Sequence, residues 1–183
     1  MVRIKHRYLL VQILYPSSSA VKTPKSEVPE SILFQAPTAS HITASTLLYL
    51  LRTQISLLFG DYGSGVLAAG LSIRYFSNAT STAIVRCPRA RYRLAWAALT
   101  FVTELPAAKK GASGGERCVM RVVRVSGTIK KVEEEVVRRA RRVISAVHEG
   151  DGIAGILQSV FGAEDEQGIE DVDMEDVETS DEG

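Results

Sequence analysis

Arginine and lysine gather where they can grip phosphate. Arg86, Arg89, Arg91 and Arg93 fall within eight residues, Lys130 and Lys131 stand side by side, and Arg3, Lys5 and Arg7 alternate near the start of the chain. A guanidinium holds a phosphate through two parallel N–H bonds. Such clusters bind polyanions rather than break bonds. Bond-breaking groups are sparse. The three histidines, His6, His41 and His148, lack metal-ligand spacing, and two cysteines cannot build a four-cysteine zinc site. Gly60-Asp61-Tyr62-Gly63-Ser64-Gly65 lacks the Lys-Ser/Thr ending of a phosphate-binding P-loop. Glu133-Glu134-Glu135 reads as a solvated helix face paired with arginines, not as a magnesium site. These residues predict a binding protein that is no enzyme by itself and binds no cofactor or metal of its own.

Charge is divided along the chain. Residues 1–148 carry all 22 bases and 8 acids, a net of +14. Residues 149–183 carry no base and 13 acids, a net of −13. The sum of +1 hides a basic body and an acidic tail. The chain therefore divides into a domain over 1–148 and a tail over 149–183, expected to be disordered. With 45% hydrophobic and 23% charged residues, the composition is that of a soluble globular domain. No stretch approaches the ~20 apolar residues of a membrane helix. The N-terminal MVRIKHRYLL is a poor signal peptide, and neither end carries a lipidation signal. Cys87 and Cys118 then read as buried free thiols of a reducing compartment.

The elements that must position the bases follow from periodicity. Residues 7–15 read as a strand, and residues 16–38, with four prolines, as a long insertion loop. Residues 40–59 read as a helix capped by Ser40, with Leu47, Leu51, Ile55 and Leu58 on one face. Gly60 stops it, and residues 61–65 form a turn. Residues 66–76 and 80–87 read as a hairpin of two strands, and residues 88–104 as a helix opened by Pro88 with Trp96 on its apolar face. A Gly/Lys-rich loop, a strand over 116–126 and a helix over 129–147 complete the body. Ile129, Val132, Val136, Ala140, Val143 and Val147 form the apolar stripe of that last helix.

The order β-α-β-β-α-β-α predicts an α+β fold of the ferredoxin-like, split β-α-β kind. Its sheet is four-stranded and antiparallel, in the order 4-1-3-2, with helices on one face and an extra C-terminal helix. That topology brings the start of strand 1, the ends of strands 3 and 4, and the starts of the last two helices to one edge. The bases collected there are Arg3, Lys5, Arg7, Arg86, Arg89, Arg91, Arg93, Arg124, Lys130 and Lys131, with Asp61 as the only acid. Cations at a helix N-terminus are unfavourable by ~0.3–1 kcal/mol each, so bases crowded there point to an anion partner. Nucleic acid fits best. The alternative is that the rim answers the chain's own acidic tail.

The fold order also invites comparison with the RNA recognition motif, which stacks bases on aromatics of strands 1 and 3. Strand 3, TSTAIVRC, has no aromatic, and the consensus is missing. Recognition by shape and phosphate is expected instead. Two other readings stay open: a small-molecule-binding regulatory domain and a protein scaffold. A stand-alone nuclease would need metal ligands that the sequence does not offer.

Five stretches in order resemble one family. They are Val2–Leu10, Phe59–Gly63, Leu71–Phe76, Thr80–Arg89 and Val125–Lys131, and the resemblance covers roughly residues 2–147. The family is the ferredoxin-like protein subunit shared by eukaryotic ribonuclease P and ribonuclease MRP, with an archaeal counterpart. The resemblance implies a subunit that braces a catalytic RNA, the RNA itself carrying the magnesium. It implies action in precursor-tRNA 5′-leader removal and precursor-rRNA processing, in the nucleus and nucleolus. It also implies contact with precursor tRNA, with a TIM-barrel-like subunit and with other proteins of the particles.

Overall fold

The computed structural model describes residues 5–16, 34–107 and 115–148, with side chains through Arg142. Arg3, most of the insertion loop, residues 108–114 and the acidic tail lie outside the described residues. Six strands and three helices follow in order: β1 His6–Leu14, α1 Ala44–Ala68, β2 Ser72–Ser77, β3 Thr82–Pro88, α2 Tyr92–Thr100, β4 Glu104–Leu105, β5 Glu116–Arg117, β6 Val119–Ser126 and α3 Ile129–His148. A 3-10 turn, Arg89–Arg91, leads into α2. The main sheet has the order β2-β3-β1-β6, all pairs antiparallel. This is the expected ferredoxin-like order read from the other side.

Strand alternation sorts the side chains onto two faces. Leu9, Val11, Ile13, Ala83 and Val85 point to one face and meet Leu47, Leu51, Ile55 and Leu67 of α1 and Ala95, Ala98 and Leu99 of α2. Leu10 and Ile84 point to the other, where Val132 of α3 seals them. α1 and α2 share one face, as the sequence predicted, and the extra C-terminal helix, whose side the sequence left open, takes the other. The reason is that β1 and β3 are apolar at successive positions, so both faces of these central strands need cover.

Several boundaries differ from expectation. The helix begins after Thr43, not Ser40, because the Thr43 hydroxyl accepts the Thr46 N–H at 3.3 Å. Gly60 does break the helix, with φ +59° and ψ −152°, but the chain then resumes helix to Ala68. That conformation is open to glycine almost alone. The second segment folds back so closely that a Cβ on Gly63 would strike Phe59, which is why residues that look turn-like stay helical. Leu58 is partly exposed, and Leu67 takes its place in the buried stripe. The strand expected from residue 66 is thus only Ser72–Ser77. α2 ends at Thr100, and the last long strand is split at Cys118, whose N–H bonds to Thr103 O at 2.9 Å. The small β4–β5 pair flanking this point was not legible in the sequence.

A buried hydroxyl relay ties the segment after the insertion to the β2–β3 hairpin. Tyr15 donates to Thr38 at 2.7 Å, Thr38 donates to Ser81 at 3.0 Å, and Ser81 donates to Ala36 O at 2.6 Å. Ser81 holds a positive φ of 49° in that hairpin. Cys87 and Cys118 are buried and free, and burial pushes their thiols up to about 12 and about 11. No helix among the described residues is long and apolar enough to cross a membrane.

Candidate nucleic-acid interface

Sheet register assembles the basic edge. His6 pairs with Pro88, and Tyr8 pairs with both Arg86 and Ser126, so the start of β1 lies between the ends of β3 and β6. The Lys5 carbonyl accepts the Arg89 N–H at 3.0 Å, fixing the 3-10 turn beside the chain entry to β1. Gly70, just past α1, lies against Pro88; a Cβ there would come within 2.6 Å of the proline ring. Arg91 sits over the Tyr62 ring, 5.9 Å from its centre, linking the end of α1 to the same edge. Arg7 reaches the loop before α3, where a Cβ on Gly127 would lie 2.8 Å from its guanidinium. Lys5, Arg7, Arg86, Arg89, Arg91, Arg93, Lys130 and Lys131 thus come from five elements to one edge, whereas Arg124, expected there too, pairs with Leu10 in the middle of β1 and stands back from it. Arg3 lies outside the described residues.

The local electrostatics of this edge favour an anion. Neither the 3-10 turn nor α2 has a side-chain cap or an acid in its first turn, and the first turn of α3 also lacks acids. Backbone N–H groups and cationic side chains therefore point the same way. Lys130 meets Glu134 at 4.0 Å with both side chains largely exposed, a pair worth little in water. Arg91 and Arg93 are exposed.

Arg86 and Arg124 are held differently. Arg86 donates to His6 Nε2 at 2.7 Å. Burial, then the charges of Arg86 and Arg74, pull the His6 imidazole below its usual range, so the ring accepts as the neutral form. Arg124 donates to Glu135 at 2.9 Å and its side chain is only 17% exposed. Arg138 and Arg139 bind the same carboxylate at 2.6 and 2.9 Å. Glu135 is therefore buried, not part of a solvated acidic face as the sequence predicted. The i,i+4 spacing to Arg139 was readable; the approach of Arg124 from β6 was not, because it depends on α3 crossing the sheet.

Two residues that sequence reasoning passed over lie beside this edge. The β2–β3 register slips between Ile73 and Tyr75, making Arg74 the extra residue of a bulge. Bulges re-aim side chains, and Arg74 adds its charge to the surroundings of His6. Tyr75 remains 47% exposed. Among the described residues no group of three or more His, Cys, Asp or Glu could hold a metal ion.

Comparison with known proteins adds the lineage. A ribonuclease P/MRP protein subunit POP5 from Schizosaccharomyces pombe is 42% identical over 147 residues, covering 79% of this chain and 91% of its own length. The Saccharomyces cerevisiae protein of the same name is 32% identical over 148 residues, covering 80% and 82%. A chain in the cryo-EM structure of yeast ribonuclease MRP aligns over 77% of this chain and 98% of its own, at 12% identity and a TM-score of 0.40, too loosely to bear on the fold. Residues 7–137 match the Rpp14/Pop5 family, and this chain is a member of that family.

Proposed function

We propose that this chain is a non-catalytic protein subunit of ribonuclease P and ribonuclease MRP, bracing their catalytic RNA. The observation that carries the reading is the convergence of bases from five elements on one edge, beside helix starts without acids, in a member of the Rpp14/Pop5 family. Crowded phosphates repel one another, and an RNA fold that packs helices closely needs cations between them. Fixed guanidinium and ammonium groups supply them, as do the backbone N–H groups at the starts of α2 and α3. Cleavage belongs in this reading to the RNA and its magnesium. The particles act on precursor tRNA, at its 5′ leader, and on precursor rRNA, in the nucleus and nucleolus. Other protein subunits, a TIM-barrel-like one among them, complete the assembly.

The test is purification of the tagged chain from its native cell, sequencing of the bound RNA, and a precursor-tRNA cleavage assay on the eluate. One or two long structured RNAs, with cleavage lost after RNA digestion, are expected. An eluate free of RNA overturns the reading.

A further inference from the structure

Among the described residues, the sheet face crossed by α3 is not wholly covered. Val132 seals Leu10 and Ile84, yet Tyr75, paired with Ile84 from the edge strand β2, keeps 47% of its surface. Its neighbours are cationic. Arg74 stands in the bulge beside it, and Arg86 lies two residues beyond Ile84 on the same face of β3. β1, β2 and β3 contain no acidic residue at all. Ser72 and Arg86 form a directly paired position in this strip, and each has a buried polar atom without a hydrogen-bond partner, Ser72 Oγ and Arg86 Nε. A buried donor lacking an acceptor is costly, so two on one pair mark a place where an acceptor belongs.

We propose that Tyr75, Arg74 and Arg86 hold an unpaired nucleotide of the bound RNA, its base on the Tyr75 ring and its phosphate on the two guanidiniums. This rests on the RNA-subunit reading and adds to it a single-stranded element and the place it binds. A base must be unstacked to lie on an aromatic ring, so a duplex does not fit here. A phosphate drawing Arg86 away from the neutral His6 supplies the acceptor that its Nε lacks. Beside Tyr75, between the free edge of β2 and the start of α1, a groove of about 320 Å³ gives the strand a path over the sheet edge. A protein strand added to β2 is the poorer occupant. The bulge at Arg74 interrupts the regular edge that such pairing uses, and backbone pairing has no need of the surrounding cations. The site differs from the RNA recognition motif in using the edge strand rather than strands 1 and 3.

The test compares the full chain with its Tyr75→Ala, Tyr75→Phe and Arg74→Gln variants in binding a fluorescein-labelled octauridylate and a blunt RNA duplex. Tyr75→Ala should weaken octauridylate binding about 5- to 100-fold, with duplex binding unchanged. Tyr75→Phe should retain it, and Arg74→Gln, exposed and remote from the core, should weaken it without loss of fold. Ultraviolet crosslinking of the particle should join Tyr75 to an unpaired nucleotide. Octauridylate binding unchanged in Tyr75→Ala, with duplex binding still present, overturns this inference and leaves the RNA-subunit reading standing. A crosslink from Tyr75 to protein alone also overturns it. No binding of either RNA by the full chain, together with an RNA-free particle, overturns both.

Discussion

Arg124 of β6 donates to Glu135 of α3 at 2.9 Å, joining the sheet to the helix that crosses it. Glu135 is 6% exposed and also receives Arg138 and Arg139. One acid thus gathers three bases and turns the C-terminal helix into a lid on the sheet. The pairing also sorts the neighbouring bases. Arg124 is committed inward, while Arg91 and Arg93 project from the start of α2.

Glu135 should govern the docking of α3. Burial by itself raises its carboxyl, but the hydrogen bond from Arg139, the charges of Arg138 and Arg139 and the hydrogen bond from Arg124 outweigh this and hold it below the usual value of 4.5. The stabilisation is therefore complete above that value and is lost as pH falls through the depressed one. Glu135→Ala should cost ~3 kcal/mol, the low end for a broken buried pair, because Arg138 and Arg139 keep contact with water. Denaturant melts at pH 7 and pH 3 check this. The variant should show a smaller stability difference between the two pH values than the parent; an equal difference would assign the acid sensitivity elsewhere.

Arg89, Arg91 and Arg93 should matter to RNA and not to folding. Replacing all three by Ala should reduce the slope of log K against log salt by about 2–3, at ~0.7–0.9 per phosphate contact. The melting temperature should change little, because relieving cations at a helix start, unfavourable by ~0.3–1 kcal/mol each, offsets the lost contact of Arg91 with the Tyr62 ring, worth ~0.5–1 kcal/mol. Filter binding to the catalytic RNA across a salt series reads the first, and a thermal scan reads the second. An unchanged slope would remove these three residues from the interface.

Strand order was readable because hydrophobic alternation and turn residues survive without tertiary context. His6–Leu14 and Thr82–Pro88 differ from the sequence reading by a residue or two. The convergence of Lys5, Arg86 and Arg89 follows from that order alone. What failed were features set by contacts distant in sequence. Gly60 ends one helical segment, but only the packing of Gly63 against Phe59 shows that helix resumes. Glu135 looked solvated because its partner Arg124 lies on another element. Arg74 and Tyr75 lay unmarked inside the strand expected over 66–76, because a bulge appears only when two strands are registered against each other.

Gly60 should tolerate no side chain, although nothing lies within 4 Å of where a Cβ would stand. Its φ of +59° with ψ of −152° is the obstacle, and Gly60→Ala should cost ~1–3 kcal/mol. Gly65, also with open space around it but within the helical segment, is the control. Gly65→Ala should be neutral or stabilise by up to ~1 kcal/mol through helix propensity. Urea melts of both variants decide the point. Equal effects would mean that the break at Gly60 is not conformationally demanding.

Tyr15 should make the fold sensitive to alkali. Burial pushes its phenol from 10.0 up to about 12; the hydrogen bond with Thr38 opposes this, and the charges of Glu116 and Cys118 add to it. With the folded value raised, the stabilisation is fully present below pH 10 and is lost as pH rises towards 12. At about 1.4 kcal/mol for each pH unit of displacement, the loss comes to ~2–3 kcal/mol. Cys87 and Cys118, displaced upward from 9.0, begin an earlier loss of the same sign. Tyr15→Phe should therefore abolish the part of the decline that begins near pH 10 and leave the part that begins near pH 9. At neutral pH the same variant should lose ~1 kcal/mol, because Thr38 no longer receives its hydrogen bond. Stability measured by denaturant from pH 7 to pH 12, with the phenolate absorbance followed alongside, separates the two groups. A profile identical to the parent above pH 10 would show that Tyr15 ionises without opening the relay to Thr38 and Ser81.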